Sequence, residues 1–197
     1  MKQEALTPIL QQIHKSAAAR DGVYVVAIEG GSGTGKTTLA ALLSEKLSCP
    51  VVHTDDFFLP PALRSRERLA EIGGNVHYER LRDEIAEPIR KGQDITYRIF
   101  SCSQMDYTES VTLPLPKILI LEGVYSQHPQ IADVVSLRLL VQADIHTRLR
   151  RIAARSGEEK LQRFLTEWIP MEDAYFSHFQ ISQHCDYIIE NNEEDDA

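Results

Sequence analysis

The sequence predicts a three-layer α/β fold, in which helices flank a parallel sheet of about five strands, together with a small lid. Apolar runs of strand length alternate with stretches of helical length, which is typical of parallel sheets buried on both faces. At 197 residues, the chain has the size of one such domain. Its 43% hydrophobic and 25% charged residues indicate a globular protein and exclude disorder for most of the chain.

The first predicted elements are a helix, a buried strand, a second helix and a short strand. Residues 1–22 carry apolar side chains on one helical face; packing on the domain is the favoured interpretation, and a contact in a homodimer is the alternative. Residues 23–28 form a continuous apolar run, which indicates a strand buried on both faces. A glycine-rich turn leads into a helix over residues 36–47, and residues 51–53 predict a second strand.

The middle of the chain has a less regular pattern. Residues 59–77 combine prolines, glycines and charges, and we expect a mobile surface segment there. Residues 78–91 predict a helix that stops at Gly92. Residues 94–100 alternate weakly in polarity and predict one arm of a small hairpin that ends before Thr112.

The last part of the chain returns to alternating strands and helices. Three further strands are predicted here, at residues 117–121, 137–141 and 185–189. Asp144 opens a basic helix, and residues 158–179 predict another, with a kink or boundary at Pro170. Four apolar side chains of that helix predict core positions, a share in a ligand pocket being the alternative: Leu161, Phe164, Leu165 and Trp168.

Charge and cysteine content exclude several kinds of partner. The chain has 29 acidic and 21 basic residues and a net charge of −8, whereas nucleic acids are usually bound by a basic face. Three widely spaced cysteines without a CxxC pair indicate neither a disulfide framework nor a zinc site. We find no apolar run of membrane-spanning length and no secretory signal, so we expect a soluble, cytoplasmic protein without membrane or nucleic-acid partners.

Residues 30–37 read GGSGTGKT and satisfy the phosphate-loop motif GxxxxGK[ST] between a buried strand and a helix. The glycines let successive backbone N–H groups converge on phosphate oxygens, and the helix N-terminus adds a favourable dipole. Lys36 is expected to reach the β- and γ-phosphates, and the Thr37 hydroxyl to bind Mg²⁺. The predicted nucleotide-binding residues are Gly30, Gly31, Ser32, Gly33, Thr34, Gly35, Lys36, Thr37 and Thr38.

Other motifs narrow the class of P-loop protein. The guanine-reading Asn-Lys-x-Asp of GTPases and the Leu-Ser-Gly-Gly-Gln signature of transporter ATPases do not occur in the sequence. The predicted strand at residues 117–121 is followed by a single Glu-Gly pair that begins at Glu122, whereas motor ATPases usually carry Asp-Glu at this place. A small-molecule kinase remains, and such an enzyme needs a carboxylate to receive a hydroxyl proton and a lid rich in arginine.

Acidic side chains follow two predicted strands at their carboxyl ends, where open α/β sheets place their ligands. We expect Asp55 to accept the proton of an attacking hydroxyl or to orient Mg²⁺-bound water. Asp56 is as consistent with a turn as with a role in the site. Glu122 is expected to hold Mg²⁺ through water, and a solvated strand-end glutamate is the alternative.

Three arginines, Arg148, Arg151 and Arg155, share one stripe of the basic helix. Guanidinium groups on an otherwise acidic protein suit the recognition of phosphate oxygens. A solvated face that pairs with neighbouring carboxylates is the alternative interpretation of this stripe.

Three segments together resemble the uridine kinase/phosphoribulokinase family of P-loop kinases: residues 30–38, 53–58 (HTDDFF) and 120–125 (ILEGVY). The Asp-Asp-Phe-Phe stretch and residues 168–171 (WIPM) are also similar to nicotinamide riboside kinases. The resemblance implies transfer of the γ-phosphate of ATP to a primary hydroxyl, usually of a ribosyl compound.

The resemblance also implies roles for single residues. Asp55 matches the base or Mg²⁺ organiser of the family, and Glu122 matches the glutamate of its Glu-Gly motif. The lid of the family falls at residues 144–165, which favours a catalytic role for Arg151 and nucleotide binding by Arg151 and Arg155.

The acceptor side departs from the uridine kinases. They carry Asn-Phe-Asp, whose aspartate binds ribose hydroxyls, where residues 75–77 read NVH; a shifted register offers Glu79 instead. The positions that read uracil fall on Phe100, Ser101 and Met105, which cannot make the same hydrogen bonds. The candidate acceptor-binding residues are therefore Asp55, Asp56, His77, Glu79 and Phe100.

The sequence thus predicts an ATP- and Mg²⁺-dependent kinase of a small molecule, with a nucleoside-like acceptor favoured. Kinases of pantothenate, a sugar acid or a sugar phosphate are alternatives. A nucleotide-binding regulator or slow ATPase is an alternative of another class. The kinase domain is predicted over residues 23–190, with an acceptor-side segment over 59–112, and the acidic residues 191–197 predict a solvated tail.

Overall fold

Seven β-strands occur in the computed structural model, which describes residues 6–192. They are β1 (Tyr24–Glu29), β2 (Val51–His53), β3 (Ile95–Ser101), β4 (Asp106–Leu113), β5 (Ile118–Glu122), β6 (Val135–Gln142) and β7 (Tyr187–Glu190). Five of them form one parallel sheet in the order β2-β5-β1-β6-β7. The other two, β3 and β4, pair as a separate antiparallel hairpin. The predicted parallel sheet is confirmed. The predicted end of the hairpin before Thr112 is wrong, because Thr112 and Leu113 of β4 still pair with β3.

Six helices accompany these strands within the described range. They are α1 (Thr7–Ala18), α2 (Lys36–Leu47), α3 (Arg66–Ala70), α4 (78–91), α5 (Ile145–Ser156) and α6 (158–178). Helix α4 ends at Gly92, whose φ of 63° is left-handed. A widened π-helical turn, Phe164–Trp168, lies within α6 just before Pro170. The irregularity predicted at Pro170 therefore lies one turn earlier, where a proline ring removes the hydrogen bond to the carbonyl four residues before it.

Two apolar layers enclose the parallel sheet. On one face, Tyr24, Val26 and Ile28 of β1 pack with the buried side chains of α1 and α2. On the other face, Val25 and Ala27 pack with α4, the hairpin and the end of α6. Because alternate residues of β1 serve the two layers, every residue of this strand is buried, as its continuous apolar run predicts.

Residues 59–77, predicted as a mobile surface segment, contain α3 and are bound to α4 through Arg68. The Arg68 guanidinium donates to Glu79 Oε1 at 2.6 Å and to the carbonyl oxygens of Gly74 and Val76, both at 3.0 Å. Hydrogen bonds to backbone carbonyls from one planar guanidinium fix the path of the chain around it. This segment therefore has a hydrogen-bond framework of its own.

The two ends of the chain are described only in part. The apolar face of α1, with Ile9, Ile13 and Ala17, is buried against the sheet. Residues 1–5 and the acidic residues 193–197 lie outside the described range. Among the helices within that range, none is long and apolar enough to cross a bilayer.

Candidate active site

The phosphate-loop motif forms the turn between β1 and α2. Gly33 and Gly35 have left-handed backbone angles, with φ of 81° and 95°. Helix α2 begins at Lys36, whose buried ammonium group donates to the Gly31 carbonyl oxygen at 3.0 Å. The turn thus places backbone N–H groups and a cation at a helix N-terminus, where anions are stabilised.

A carboxylate and a hydroxyl meet beside this loop, at the carboxyl end of β5. The Thr37 hydroxyl donates to Glu122 Oε1 at 3.2 Å, and Glu122 Oε2 lies 2.6 Å from His53 Nδ1. His53 is opposite Glu122 in the parallel pairing of β2 with β5, so strand register places this contact. The hydrogen bond to Glu122 raises the pKa of His53.

The side chains present fit a Mg²⁺ ion that arrives with a nucleotide. Thr37 and Glu122 supply the hard oxygen donors that Mg²⁺ prefers. Among residues 6–192, no group of three or more His, Cys, Asp and Glu could hold a metal by itself. Mg²⁺ is usually bound through one or two protein oxygens, water and substrate phosphates, so this sparse donor set is the expected one.

Asp55 lies in the 3₁₀ turn Thr54–Phe57, which directly follows β2. The Thr54 hydroxyl donates to the Val124 carbonyl oxygen at 2.8 Å and ties this turn to the end of β5. The Asp55 side chain is open to the solvent of a cleft whose walls otherwise surround it. The surrounding walls of the cleft limit the hydration of the carboxylate; this desolvation raises the pKa of Asp55, and the Lys36 ammonium group opposes part of that increase. A carboxylate in this state is suited to accept a proton.

Lys36, Thr37, Asp55 and Glu122 line one cleft of about 800 Å³, within the size range of small-molecule sites. The loop residues Gly30, Gly31 and Thr34 do not line it. The predicted site residues that do line it are Ser32, Gly33, Gly35, Lys36, Thr37, Thr38, Asp55, Asp56, Phe100, Glu122, Arg151 and Arg155.

The structure does not bring His77 or Glu79 to this cleft, in contrast to the expectation from sequence. The two carboxylate oxygens of Glu79 accept hydrogen bonds from the Arg68 guanidinium at 2.6 and 2.8 Å. His77 is half-buried directly before α4. The first turn of α4 faces α3, so neither of the two residues predicted to bind ribose hydroxyls reaches the cleft. Asn75 lines the cleft instead.

Asn75 and Tyr125 line the cleft although sequence patterns did not single them out. Tyr125 is buried and has a φ of 78°, a left-handed conformation that is costly for a bulky residue. Burial raises the pKa of Tyr125, and the nearby Asn75 side chain opposes part of that increase. Such backbone strain is concentrated at functional sites. In the sequence, only their positions within two motifs could have indicated these residues. Asn75 is the first residue of the segment 75–77, and Tyr125 is the last residue of ILEGVY.

Helix α5 lies against the phosphate loop. Arg151 Nη1 donates to the carbonyl oxygens of Gly33 and Thr34 at 3.3 and 3.4 Å. Arg151 and Arg155 line the cleft, whereas Arg148 does not. The arginine stripe therefore divides between two surfaces, with its second and third members facing the candidate nucleotide site.

Two aromatic side chains of α6 extend the wall of the cleft. Phe164 and Trp168 both line it and pack edge to face, with their ring centroids 4.4 Å apart. The pocket interpretation therefore fits these two residues. The core position predicted for Leu165 is wrong, because this side chain is 39% exposed. The π-helical turn at Phe164–Trp168 changes the phase of the helix, so regular helical spacing no longer identifies the buried face.

Glu29, the last residue of β1, is a fully buried carboxyl directly before the phosphate loop. Its oxygens accept hydrogen bonds from the backbone N–H groups of Gly30 (3.1 Å) and Gln127 (3.3 Å) and from the Tyr175 hydroxyl (3.1 Å). Burial raises the pKa of Glu29 to about 7, and these hydrogen bonds and Lys36 oppose only part of that increase.

Replacing Glu29 with glutamine is expected to change how stability depends on pH. The pKa is about 7 in the folded protein and 4.5 ordinarily, so the carboxyl contributes stability below pH 4.5 that is lost as the pH rises through 7. At about 1.4 kcal/mol per pKa unit, the loss is on the order of 3 kcal/mol. The free energy of unfolding of Glu29→Gln, measured in urea, should therefore increase relative to that of the wild type as the pH rises. The exposed Glu45→Gln serves as the control, and parallel pH curves for Glu29→Gln and wild type would contradict this prediction.

A parallel sheet, a phosphate loop after its central strand and a helix with arginines against that loop define the class of P-loop kinases. No protein-family model matches the sequence. Two solved structures share the fold. A possible uridine kinase from Bacillus stearothermophilus has a TM-score of 0.68 and 20% identity, covering 94% of this chain and 99% of that one. A candidate fructose transport system kinase from Silicibacter sp. TM1040 has a TM-score of 0.73 and 18% identity, covering 93% and 98%.

Three sequence relatives are named as kinases of nucleosides or nucleotides. The chain is 28% identical over 174 residues to uridine-cytidine kinase C of Dictyostelium discoideum, which covers 84% of this chain and 38% of that protein. It is 24% identical to a uridine kinase of Halobacterium salinarum, covering 84% and 79%. It is 30% identical over 135 residues to a cytidylate kinase of Methanothermobacter thermautotrophicus, covering 68% and 70%. The chain belongs to the P-loop kinases and is similar to uridine kinases within that class. It spans well under half the length of uridine-cytidine kinase C.

Proposed function

We propose that this chain is an ATP- and Mg²⁺-dependent kinase that transfers the γ-phosphate to a primary hydroxyl of an uncharged, nucleoside-like small molecule. The observation that carries the proposal is that Lys36 and Asp55, which follow two different strands, line one cleft. The first is suited to hold a triphosphate and the second to accept a hydroxyl proton. Relatives named as uridine and uridine-cytidine kinases support the same reaction class.

In the proposed reaction, the acceptor oxygen bonds to the γ-phosphorus and the bond from that phosphorus to the β-phosphate oxygen breaks, while Asp55 takes the hydroxyl proton. Lys36 and the loop N–H groups stabilise the charge on the transferring phosphoryl group and on ADP. Mg²⁺, when held by Thr37 and through water by Glu122, neutralises phosphate charge. Arg151 adds a cation over the transferring group, and the closed lid excludes water.

Charge differs between the two sides of the cleft. The basic lining residues all come from the phosphate loop or from α5 and α6: Lys36, Arg151, Arg155 and Lys160. On the acceptor side, the described lining includes Asp55 and Asp56 but neither lysine nor arginine. Two carboxylates in this setting repel an acceptor that carries a carboxylate or phosphate. Asn75 and Phe100 on the same side suit hydroxyl groups and a ring. An uncharged acceptor is therefore favoured over pantothenate, a sugar acid or a sugar phosphate.

An assay of ADP release with and without acceptors tests this proposal. We expect neutral nucleosides to accelerate release, and pantothenate, sugar acids and sugar phosphates to leave it near the rate of hydrolysis by water. Lys36→Ala protein, prepared in parallel, controls for contaminating ATPase. Release that responds to none of the acceptors would indicate the regulator or slow ATPase instead. Preferential use of an anionic acceptor would contradict the charge argument.

A further inference from the structure

Every polar group of Ser32, at the apex of the phosphate loop, is bonded to one pair of charged side chains. The Ser32 N–H donates to Glu172 Oε2 at 2.9 Å, and its hydroxyl donates to Glu172 Oε1. Its carbonyl oxygen accepts from Arg148 Nε at 2.8 Å. The two charged side chains also bond to each other, because Arg148 Nη2 donates to Glu172 Oε2 at 3.0 Å. A carboxylate from α6 and a guanidinium from α5 thus hold one residue from both sides.

Both members of this pair are largely withdrawn from water, with side chains exposed by 12% for Arg148 and 6% for Glu172. The loop is shaped to receive them. A Cβ atom at Gly31 would lie 2.7 Å from the Arg148 guanidinium carbon, and one at Gly33 would lie 2.7 Å from the Arg148 carbonyl oxygen. The glycines at these positions therefore permit the close approach of α5 as well as the turn itself.

Arg148 does not line the cleft, so its contribution differs from that of Arg151 and Arg155. Glu172 does line the cleft, where an unpaired carboxylate would repel a triphosphate. Its pairing with Arg148 and with two donors of Ser32 neutralises that charge within the protein. The arrangement fits support of the loop and does not fit direct contact between Arg148 and the nucleotide.

We propose that Arg148 and Glu172 are positioning residues, which hold Ser32 so that the phosphate loop keeps the shape that accepts a triphosphate. This inference rests on the proposed function because ATP is the ligand of that loop. A loop whose apex is fixed before binding does not lose conformational freedom on binding, which increases affinity. Neither helix can shift relative to the loop without breaking a charged hydrogen bond.

Replacing Glu172 with alanine is expected to raise the dissociation constant and the KM for ATP by about 10- to 100-fold, because hydrogen bonds to a charged group are lost and Arg148 is left without its partner. The KM for the acceptor should stay within about twofold of the wild-type value, since the lost hydrogen bonds connect Glu172 to the phosphate loop and to Arg148. Glu172→Gln keeps the shape of the side chain and one acceptor oxygen, so we expect a smaller loss. Glu167→Gln, an exposed change in the same helix, is the matched control.

A double-mutant cycle separates this role from general destabilisation. If the two side chains act as a pair, Arg148→Ala and Glu172→Ala together should weaken ATP binding no more than the worse single variant. Binding is measured by titration calorimetry without acceptor, with circular dichroism and thermal melting to confirm folding. If the alanine variants unfold, Glu172→Gln and Arg148→Lys provide the same cycle.

The two proposals fail in different ways. Wild-type affinity in Glu172→Ala, or in Glu172→Gln and Arg148→Lys together, would overturn the positioning role, and so would fully additive losses in the cycle. A wild-type protein that binds ATP but phosphorylates no acceptor would overturn the proposed function and leave the cycle as the measure of loop positioning. A wild-type protein that binds no ATP would overturn both proposals.

Discussion

Asp55→Asn protein is expected to turn over about 10²- to 10⁴-fold more slowly than the wild type, the scale of lost general-base catalysis. The amide has nearly the shape of the carboxylate but cannot accept the proton of the attacking hydroxyl. The turn around it should persist, because the Thr54 hydroxyl holds that turn to the Val124 carbonyl oxygen independently of Asp55. The loss should therefore fall on kcat, and Asp55→Ala should behave similarly.

The measurement is acceptor-dependent ADP release, accompanied by calorimetric titration with ATP. Asp83→Asn is the matched control, because Asp83 lies at an exposed position of α4 and accepts its hydrogen bonds from the neighbouring Arg82. Asp56→Asn provides a comparison within the site, since Asp56 lines the same cleft as Asp55. Full turnover by Asp55→Asn would reject Asp55 as the base, and a loss confined to Asp56→Asn would move the assignment by one residue.

Features that depend on local spacing could be predicted from the sequence. Backbone N–H groups converge on phosphate only with glycines at set intervals, so residues 30–37 identify the loop without any tertiary information. Parallel strands end at a common edge of the sheet, so acidic residues after two strands were expected to lie near each other. The strand order then places Glu122 directly beside His53, one turn from Asp55.

Contacts between side chains far apart in the sequence could not be predicted in the same way. Ser32 is 116 residues from Arg148 and 140 residues from Glu172, and no periodicity relates such positions. Arg148 shares a helical stripe with Arg151, but a helix packed closely against a loop presents the two edges of a stripe to different surfaces. The acceptor-side register failed for a related reason: Arg68 binds Glu79, and a motif comparison cannot reveal that ion pair.

Lys36→Ala is expected to lower kcat/KM for ATP by about 10²- to 10⁴-fold, the scale of a lost electrostatic contribution to the transition state. The ammonium group is buried and hydrogen-bonded to the Gly31 carbonyl oxygen, so it is held within the loop before any ligand binds. Lys36→Arg should not restore activity, because a planar guanidinium does not fit the space of a compact ammonium group. Lys46→Ala, exposed on the same helix, should leave kcat/KM unchanged.

The charge of Lys36 also reaches the carboxyls around it, and this provides a second readout for the same variant. Lys36 lowers the pKa values of Asp55, Glu29 and Glu172, in each case against the effect of burial. Its removal should therefore raise the pKa of Asp55 further, so that the base is protonated over a wider pH range. The acidic limb of the kcat profile of Lys36→Ala should move to higher pH than in the wild type. A large loss of kcat with an unmoved acidic limb would assign Lys36 to phosphate binding alone, without influence on the base.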